Sequence, residues 1–136
     1  MLQNSRRASL AGMTILFADD SLDNKFLVEH FLTLNGAQVS LASDGSEAVD
    51  MALAGTYDLI LMDIQMPKMD GYQATRILLE RGYAKPIIAL TAHAMDEERD
   101  KTKAVGFSGH LTKPLNFNEL LLTILKAPHK TSPIIE

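Results

Sequence analysis

Strand-like and helix-like segments alternate along almost the whole of this 136-residue chain. The strand-like runs are short and apolar, or alternate polar and apolar residues, and the segments between them place apolar residues at helical spacing. Right-handed β-α-β connections bring such strands together in parallel and put the helices on both faces of the sheet. The sequence therefore predicts an α/β fold with a doubly wound, five-stranded parallel sheet. The predicted strands are 14–18, 38–42, 59–62, 87–90 and 109–112, and the predicted helices are 22–34, 46–54, 72–80, 96–103 and 119–126.

In the first predicted helix, the apolar residues recur at helical spacing. Asn35 and Gly36, which follow it, are typical of a helix end. We therefore expect a helix over residues 22–34 that carries a stripe of recurring apolar residues. The stripe consists of Leu22, Phe26, Leu27, Phe31 and Leu34.

Length and composition are those of one globular domain. We predict a leader or linker over residues 1–12, a folded domain over 13–127 and a C-terminal tail over 128–136. The net charge of -4 argues against direct binding to nucleic acid and against attraction to an anionic membrane. The absence of cysteine excludes disulfides and thiolate metal sites, which fits a cytoplasmic protein.

Four of the predicted strands end in residues that can bind phosphate or a metal ion. Asp19 and Asp20 follow the first strand, and Asp63 follows the third. Thr91 follows the fourth strand and Lys113 the fifth. The carboxyl ends of parallel strands lie at one edge of the sheet, where ligands bind in open α/β folds. We therefore expect three carboxylates, a hydroxyl and an ammonium group to form one site.

This set of side chains has a definite chemistry. Three neighbouring carboxylates do not ionise together without a compensating cation, and an all-oxygen site favours a hard ion such as Mg²⁺. An aspartate can act as a nucleophile toward phosphorus. The ammonium group of Lys113 and the hydroxyl of Thr91 would stabilise charge on phosphoryl oxygens. The residues alone therefore indicate Mg²⁺-dependent phosphoryl transfer to a carboxylate.

With these residues in this order, the chain strongly resembles the receiver domain of two-component response regulators. The resemblance covers about residues 13–127 and implies the flavodoxin-like strand order 2-1-3-4-5. The segment ALTAHAM over 89–95 is similar to receivers fused to hybrid sensor histidine kinases. The features that carry the resemblance are Asp19-Asp20, Asp63, the loop MDIQMPKMDG over 62–71, Thr91, Lys113 and Pro114.

The resemblance assigns roles to the acidic residues. Asp63 would be the phosphoacceptor, and Asp20 and Asp63 would hold Mg²⁺ directly. Asp19 would act mainly through a metal-bound water, and the backbone carbonyl of Gln65 would be a further metal ligand.

The resemblance also assigns catalytic and switch residues. Thr91 and Lys113 would contact the phosphoryl group, and the bond between Lys113 and Pro114 would be cis. His110 departs from the family, which usually has Tyr or Phe there, an aromatic ring that turns inward when the threonine binds phosphate. His110 is either a switch residue or a half-exposed strand residue without that role, and His93 either tunes access of water to the phosphoryl group or is an exposed loop residue.

The family implies a histidine kinase or a histidine phosphotransfer protein as phosphodonor, and homodimerisation on phosphorylation is one further expectation. The domain would catalyse its own phosphorylation and dephosphorylation rather than act on an external metabolite. It would contact no membrane and would bind no nucleic acid directly. A stand-alone regulator and a piece of a hybrid histidine kinase are equally compatible with the sequence.

Other interpretations compete with this one. Asp20 or Ser21 could simply cap the following helix, Thr91 could cap the next segment, and Lys113 could be a solvated surface residue. At the level of the whole chain, a phosphohydrolase with an aspartate nucleophile is one alternative, although such enzymes usually have a second aspartate where Gln65 stands. A constitutive interaction module with a vestigial site is the other.

Overall fold

The computed structural model describes residues 9–92 and 95–127 and forms the predicted doubly wound sheet. Within these residues, all strand pairs are parallel and the strand order is β2-β1-β3-β4-β5, as predicted. Residues 1–8, His93 and the predicted tail lie outside the described residues. The strands are β1 (Thr14–Ala18), β2 (Gln38–Ala42), β3 (Leu59–Asp63), β4 (Ile87–Thr91) and β5 (Gly109–Thr112), and the helices are α1 (Leu22–Leu34), α2 (Gly45–Ala54), α3 (Gly71–Glu80), α4 (Asp96–Val105) and α5 (Phe117–Lys126).

Side-chain caps fix where four of the helices begin. Ser21, Asp44, Asp70 and Asn116 each accept a hydrogen bond from the backbone N–H three residues later, at 2.8 to 3.2 Å. Such a bond satisfies one of the free N–H groups of the first turn. Because the caps precede the apolar pattern, α2, α3 and α5 begin one or two residues before the predicted starts.

Both faces of the sheet are covered. β3 and β4 are buried along their whole length, as expected for central parallel strands. Alternate strand residues contribute to two separate core layers. Leu16, Ile60 and Ile87 pack on the side of α2 and α3, whereas Phe17, Leu61 and Ile88 pack on the side of α1 and α5.

The bounds of α1 are those predicted, and the apolar spacing did not predict which side of the helix faces the sheet. Its core side is formed by Lys25, Val28 and Leu32. Phe31 is partly buried against that core and stacks on Phe117 at 4.7 Å between ring centroids. The helix therefore exposes most of the stripe that predicted it. The exposed fractions are 78% for Leu22, 67% for Phe26, 52% for Leu27 and 47% for Leu34.

The core begins before β1. Leu10, in the predicted leader, is fully buried, and its backbone N–H donates to the carbonyl of Asn35 at 2.8 Å. Its own carbonyl accepts from the backbone N–H of Met13 at 3.0 Å. The turn that precedes the first strand therefore closes the end of the core beneath α1.

Candidate functional site

Three carboxylates meet at the carboxyl edge of the sheet. Oxygen atoms of Asp19, Asp20 and Asp63 all lie within 4.8 Å of one another. Asp19 and Asp63 are buried, with exposed fractions of 0% and 4%, whereas Asp20 is exposed. The sequence prediction that these three residues lie together agrees with this geometry, and one side of the cluster is open to incoming ions.

Backbone and amide donors hold the two buried carboxylates in place. Asp19 accepts from the backbone N–H of Ser21 at 2.8 Å and from the side-chain amide of Asn24 at 3.3 Å. Asp63, the last residue of β3, accepts from the backbone N–H of Gln65 at 3.1 Å. Ser21, rather than Asp20, caps α1, so the carboxylate of Asp20 is not used for capping. Sequence reasoning missed Asn24, although its place in the first turn of α1 was a usable signal.

Lys113 reaches into the cluster from the segment after β5. Its ammonium nitrogen lies 2.9 Å from Asp63 Oδ2 and 3.2 Å from Asp19 Oδ2, and its side chain is 23% exposed. Its backbone N–H donates to the carbonyl of Thr91 at 2.7 Å, and its bond to Pro114 is cis. Lys113 is therefore not a solvated surface lysine, because it is the cation that partly neutralises the buried acids.

The electrostatics of the site disfavour a charged Asp63. Burial raises its pKa, the bond to Lys113 opposes this effect, and the nearby charge of Asp19 raises it further, so that the pKa lies above the ordinary value of 3.8. Burial alone would lower the pKa of Lys113, but its contacts with Asp63 and Asp19 outweigh burial and raise it. One lysine therefore does not fully neutralise the three carboxylates. An all-oxygen donor set of this kind suits Mg²⁺.

The loop from Ile64 to Asp70 forms one wall of the site. It is closed at its base by the backbone N–H of Gly71, which donates to the carbonyl of Ile64 at 2.8 Å. A Cβ atom at Gly71 would lie 2.4 Å from the carbonyl oxygen of Asp63, so only glycine allows this approach. The side chain of Gln65 is exposed, which agrees with a role for its backbone alone.

Thr91 and His110 lie on the neighbouring strands. Thr91 is the last residue of β4 and is 3% exposed. His110 is half-buried on β5, and its ring Nδ1 lies 3.2 Å from the hydroxyl of Thr102 on α4. Thr102 is a buried residue that sequence reasoning missed, although it is an uncharged position in the highly charged segment DEERDKTKAV. His110 thus contacts α4 through Thr102.

The fold and the site define an α/β domain with an acidic cluster at the carboxyl edge of its sheet. Residues 15–125 match the family of response regulator receiver domains. The chain therefore belongs to the response regulator receiver domain family, whose members act in two-component signal transduction. This assignment does not favour the phosphohydrolase or the vestigial module. Among the described residues, no helix is long and apolar enough to cross a membrane.

Curated relatives are much longer proteins, named as histidine kinases or sensor proteins. The chain is 39% identical over 132 residues to probable histidine kinase 2 of Oryza sativa subsp. indica, which covers 84% of this chain and 13% of that protein. It is 38% identical over 122 residues to the sensor protein EvgS of Escherichia coli strain K12, covering 90% of this chain and 10% of EvgS. The chain thus spans about a tenth of the length of these relatives.

Solved structures share the fold. The chemotaxis protein CheY4 of Vibrio cholerae has a TM-score of 0.80 and 34% identity, covering 87% of this chain and 100% of CheY4. The receiver domain of the sensor histidine kinase PA1611 of Pseudomonas aeruginosa PAO1 has a TM-score of 0.75 and 42% identity, covering 85% of this chain and 95% of that domain. The latter structure has a magnesium ion coordinated in its active site cleft.

Proposed function

We propose that Asp63 accepts a phosphoryl group from a phosphohistidine donor and that this modification switches a partner-binding surface. The observation that carries the proposal is the position of the Asp63 carboxylate, buried at a strand end beside Asp19 and Asp20 and 2.9 Å from Lys113. A surface or capping aspartate would not need this arrangement. The matched family and the sensor kinases among its relatives support the same conclusion.

The transfer is a displacement at phosphorus. An oxygen of Asp63 attacks, a new O–P bond forms, and the N–P bond to the donor imidazole breaks with its electron pair left on the nitrogen. The phosphohistidine thereby returns to histidine, and the domain gains an aspartyl phosphate. In this proposal the receiver promotes its own phosphorylation and later hydrolysis and turns over no external metabolite.

The charged groups around Asp63 have distinct parts in this step. Asp19, Asp20, Asp63 and the backbone carbonyl of Gln65 would hold Mg²⁺, with Asp19 acting mainly through water. When bound, Mg²⁺ supplies positive charge against the carboxylates and the phosphoryl oxygens. Lys113 exchanges its contact with Asp63 for a phosphoryl oxygen, because the attacked carboxylate loses its own negative charge.

The readout would pass from Thr91 to His110. The Thr91 hydroxyl donates to a phosphoryl oxygen. When Thr91 moves to make this bond, the half-buried ring of His110 on the adjacent strand changes its orientation. Because His110 contacts Thr102, a change in the ring alters the packing of α4. Phosphorylation would then shift the population between two arrangements of the α4 and β5 face.

The exposed face of α1 is the surface that we assign to the phosphodonor. We call Leu22, Phe26 and Leu27 the α1 apolar patch, and all three are more than half exposed. A small cavity beside the patch is lined by Leu27 of the patch and by Lys113 of the acidic site. A protein that delivers phosphohistidine to Asp63 must cover the surroundings of the site, and an apolar patch at its border offers contact area. The donor is a histidine kinase or a histidine phosphotransfer protein.

Beryllium fluoride with Mg²⁺ tests the proposal, because this anion imitates a phosphoryl group on aspartate. In the wild type, we expect NMR signals of Asp63, Thr91 and α4 to shift. Asp63→Ala is the control, since it lacks the acceptor oxygen. No shift in the wild type, or the same shift in Asp63→Ala, would contradict the proposal, and steady hydrolysis of a chromogenic phosphate ester would favour the phosphohydrolase.

A further inference from the structure

The start of α2 lies against the loop that forms the wall of the acidic site. The backbone N–H of Gly45, the first residue of α2, donates to the carbonyl of Met69 at 2.9 Å. A Cβ atom at Gly45 would lie 2.1 Å from that carbonyl oxygen and 2.8 Å from the carbonyl carbon. Both atoms belong to the backbone, so neither can turn aside as a side chain could. Glycine is required here for space.

A second contact fixes the same part of the loop. Asp44 caps α2 with Oδ1, and its Oδ2 lies 3.6 Å from the ammonium nitrogen of Lys68. Lys68 adopts a left-handed backbone conformation with φ of 65°, which turns the chain toward Met69. The Lys68 side chain is 75% exposed, so solvent screens the ion pair and weakens it. The backbone contact at Gly45 is the main attachment between α2 and the loop.

The loop is short enough for this attachment to affect the site. At its base, the backbone N–H of Ile64 donates to the carbonyl of Leu90 at 3.0 Å, and Gly71 closes the loop on Ile64. Gln65 lies at the site end and Met69 at the α2 end, only four positions apart in a closed segment. Because the base is fixed, a displacement of Met69 is distributed over the loop residues between Ile64 and Met69, which include Gln65.

We infer that Gly45 is a positioning residue for the metal site, although it touches neither metal nor phosphate. Through Met69 it would hold the loop that carries the backbone carbonyl of Gln65, a metal ligand in the proposed function. The inference rests on the proposed function, because it assumes that Mg²⁺ binds there. Removal of contacts that orient the ligands of a metal ion without touching the ion commonly lowers metal affinity by about 10- to 100-fold.

The first test needs no substitution. If the Gly45 contact favours Mg²⁺ binding, then Mg²⁺ must favour the contact to the same extent. Hydrogen exchange of the Gly45 amide, followed by NMR, should therefore slow by about tenfold at saturating Mg²⁺. The Gly55 amide is the matched control, because it donates to the carbonyl of Met51 at 2.9 Å at the opposite end of the same helix. Its exchange should not change.

The second test compares Gly45→Ala with Gly55→Ala. A Cβ at Gly55 would lie 2.9 Å from the Tyr57 ring and 3.2 Å from the Met51 carbonyl oxygen, so this variant also strains α2 but far from the loop. In NMR titrations with MgCl₂, we expect the dissociation constant to rise about tenfold for Gly45→Ala and to stay unchanged for Gly55→Ala. Urea unfolding in EDTA measures the general loss of stability in each.

The outcomes distinguish a failure of the inference about Gly45 from a failure of the proposed function. If wild-type Mg²⁺ binding leaves the Gly45 amide unprotected, or if both alanine variants bind Mg²⁺ equally well, the inference about Gly45 is wrong and the proposed function stands. If the wild type binds no Mg²⁺, both fail together. Should Gly45→Ala not fold, the exchange experiment on the wild type still decides.

Discussion

Replacement of Lys113 by methionine probes the charge balance of the site. Methionine retains much of the aliphatic stem but removes the ammonium group, which lies 2.9 Å from Asp63 and 3.2 Å from Asp19. Two buried carboxylates would then face each other without a cation. In Mg²⁺-free buffer, Lys113→Met should therefore destabilise the folded domain.

The structure sets the size of this effect. Removal of one partner from a buried ion pair costs about 3–5 kcal/mol. Because the Lys113 side chain is 23% exposed, water already solvates part of it, and we expect a loss of about 2–3 kcal/mol in the free energy of unfolding. With an m-value of about 2 kcal/mol/M, the urea midpoint at pH 7 should fall by about 1–1.5 M.

The pH dependence gives an independent check with a definite sign. The pKa of Asp63 is already raised in the folded chain, and the loss of Lys113 removes an interaction that lowers it. A carboxyl group whose pKa is higher in the folded than in the unfolded state costs stability as the pH rises between the two values. The deficit of Lys113→Met relative to wild type should therefore shrink as the pH is lowered from about 7 toward 5.

Urea unfolding in EDTA at both pH values measures these quantities. Asp63→Asn is the companion variant, because it removes one of the crowded charges and keeps the shape. The double variant Lys113→Met with Asp63→Asn should be more stable than Lys113→Met alone by about 1 kcal/mol or more. A loss below about 0.5 kcal/mol for Lys113→Met, or no recovery in the double variant, would refute this account of the site.

Variants at three further positions test other contacts. Thr102→Val removes the hydroxyl that contacts His110, and urea unfolding should show a loss of about 1 kcal/mol, with a smaller loss for Thr102→Ser. Phe26→Ser, at an exposed position, should change the unfolding free energy by less than about 0.5 kcal/mol. It should nevertheless slow phosphorylation by a phosphohistidine protein, measured with ³²P, without slowing phosphorylation by phosphoramidate. Gly71→Ala would press a Cβ against the carbonyl of Asp63, and thermal unfolding should show a loss of about 1–3 kcal/mol.

The position of several site residues was predictable because the ends of the strands can be recognised in the sequence. A run of apolar residues that stops at an aspartate, a threonine or a lysine predicts a strand and a functional group at its carboxyl end. Since all the strands are parallel, Asp19, Asp63 and Lys113 must lie on the same edge. No knowledge of packing is needed to expect these side chains at one edge, whereas the strand order was implied by the resemblance to receiver domains.

The sequence did not reveal the features that depend on packing between separate elements. The apolar stripe of α1 predicted a helix correctly, but periodicity does not say which stripe faces the sheet. Lys25 lies on the core side because its ammonium group reaches the hydroxyl of Ser43, a partner that the spacing within α1 does not reveal. Likewise, the contact between Thr102 and His110 joins a helix to a strand, and the spacing within either segment does not predict it.

α4 contributes little to the core that holds the rest of the fold together. Thr102 is its one buried residue, and the remaining nine positions from Asp96 to Val105 are partly or fully exposed. Val105 packs against the core layer on the side of α2 and α3, and Glu98 and Lys101 contact Tyr72. The other exposed positions can diverge in sequence at low cost to folding. A receiver built in this way can acquire new target specificity through α4 while its acidic site and sheet stay the same, which lets related signalling pathways separate without redesign of their shared chemistry.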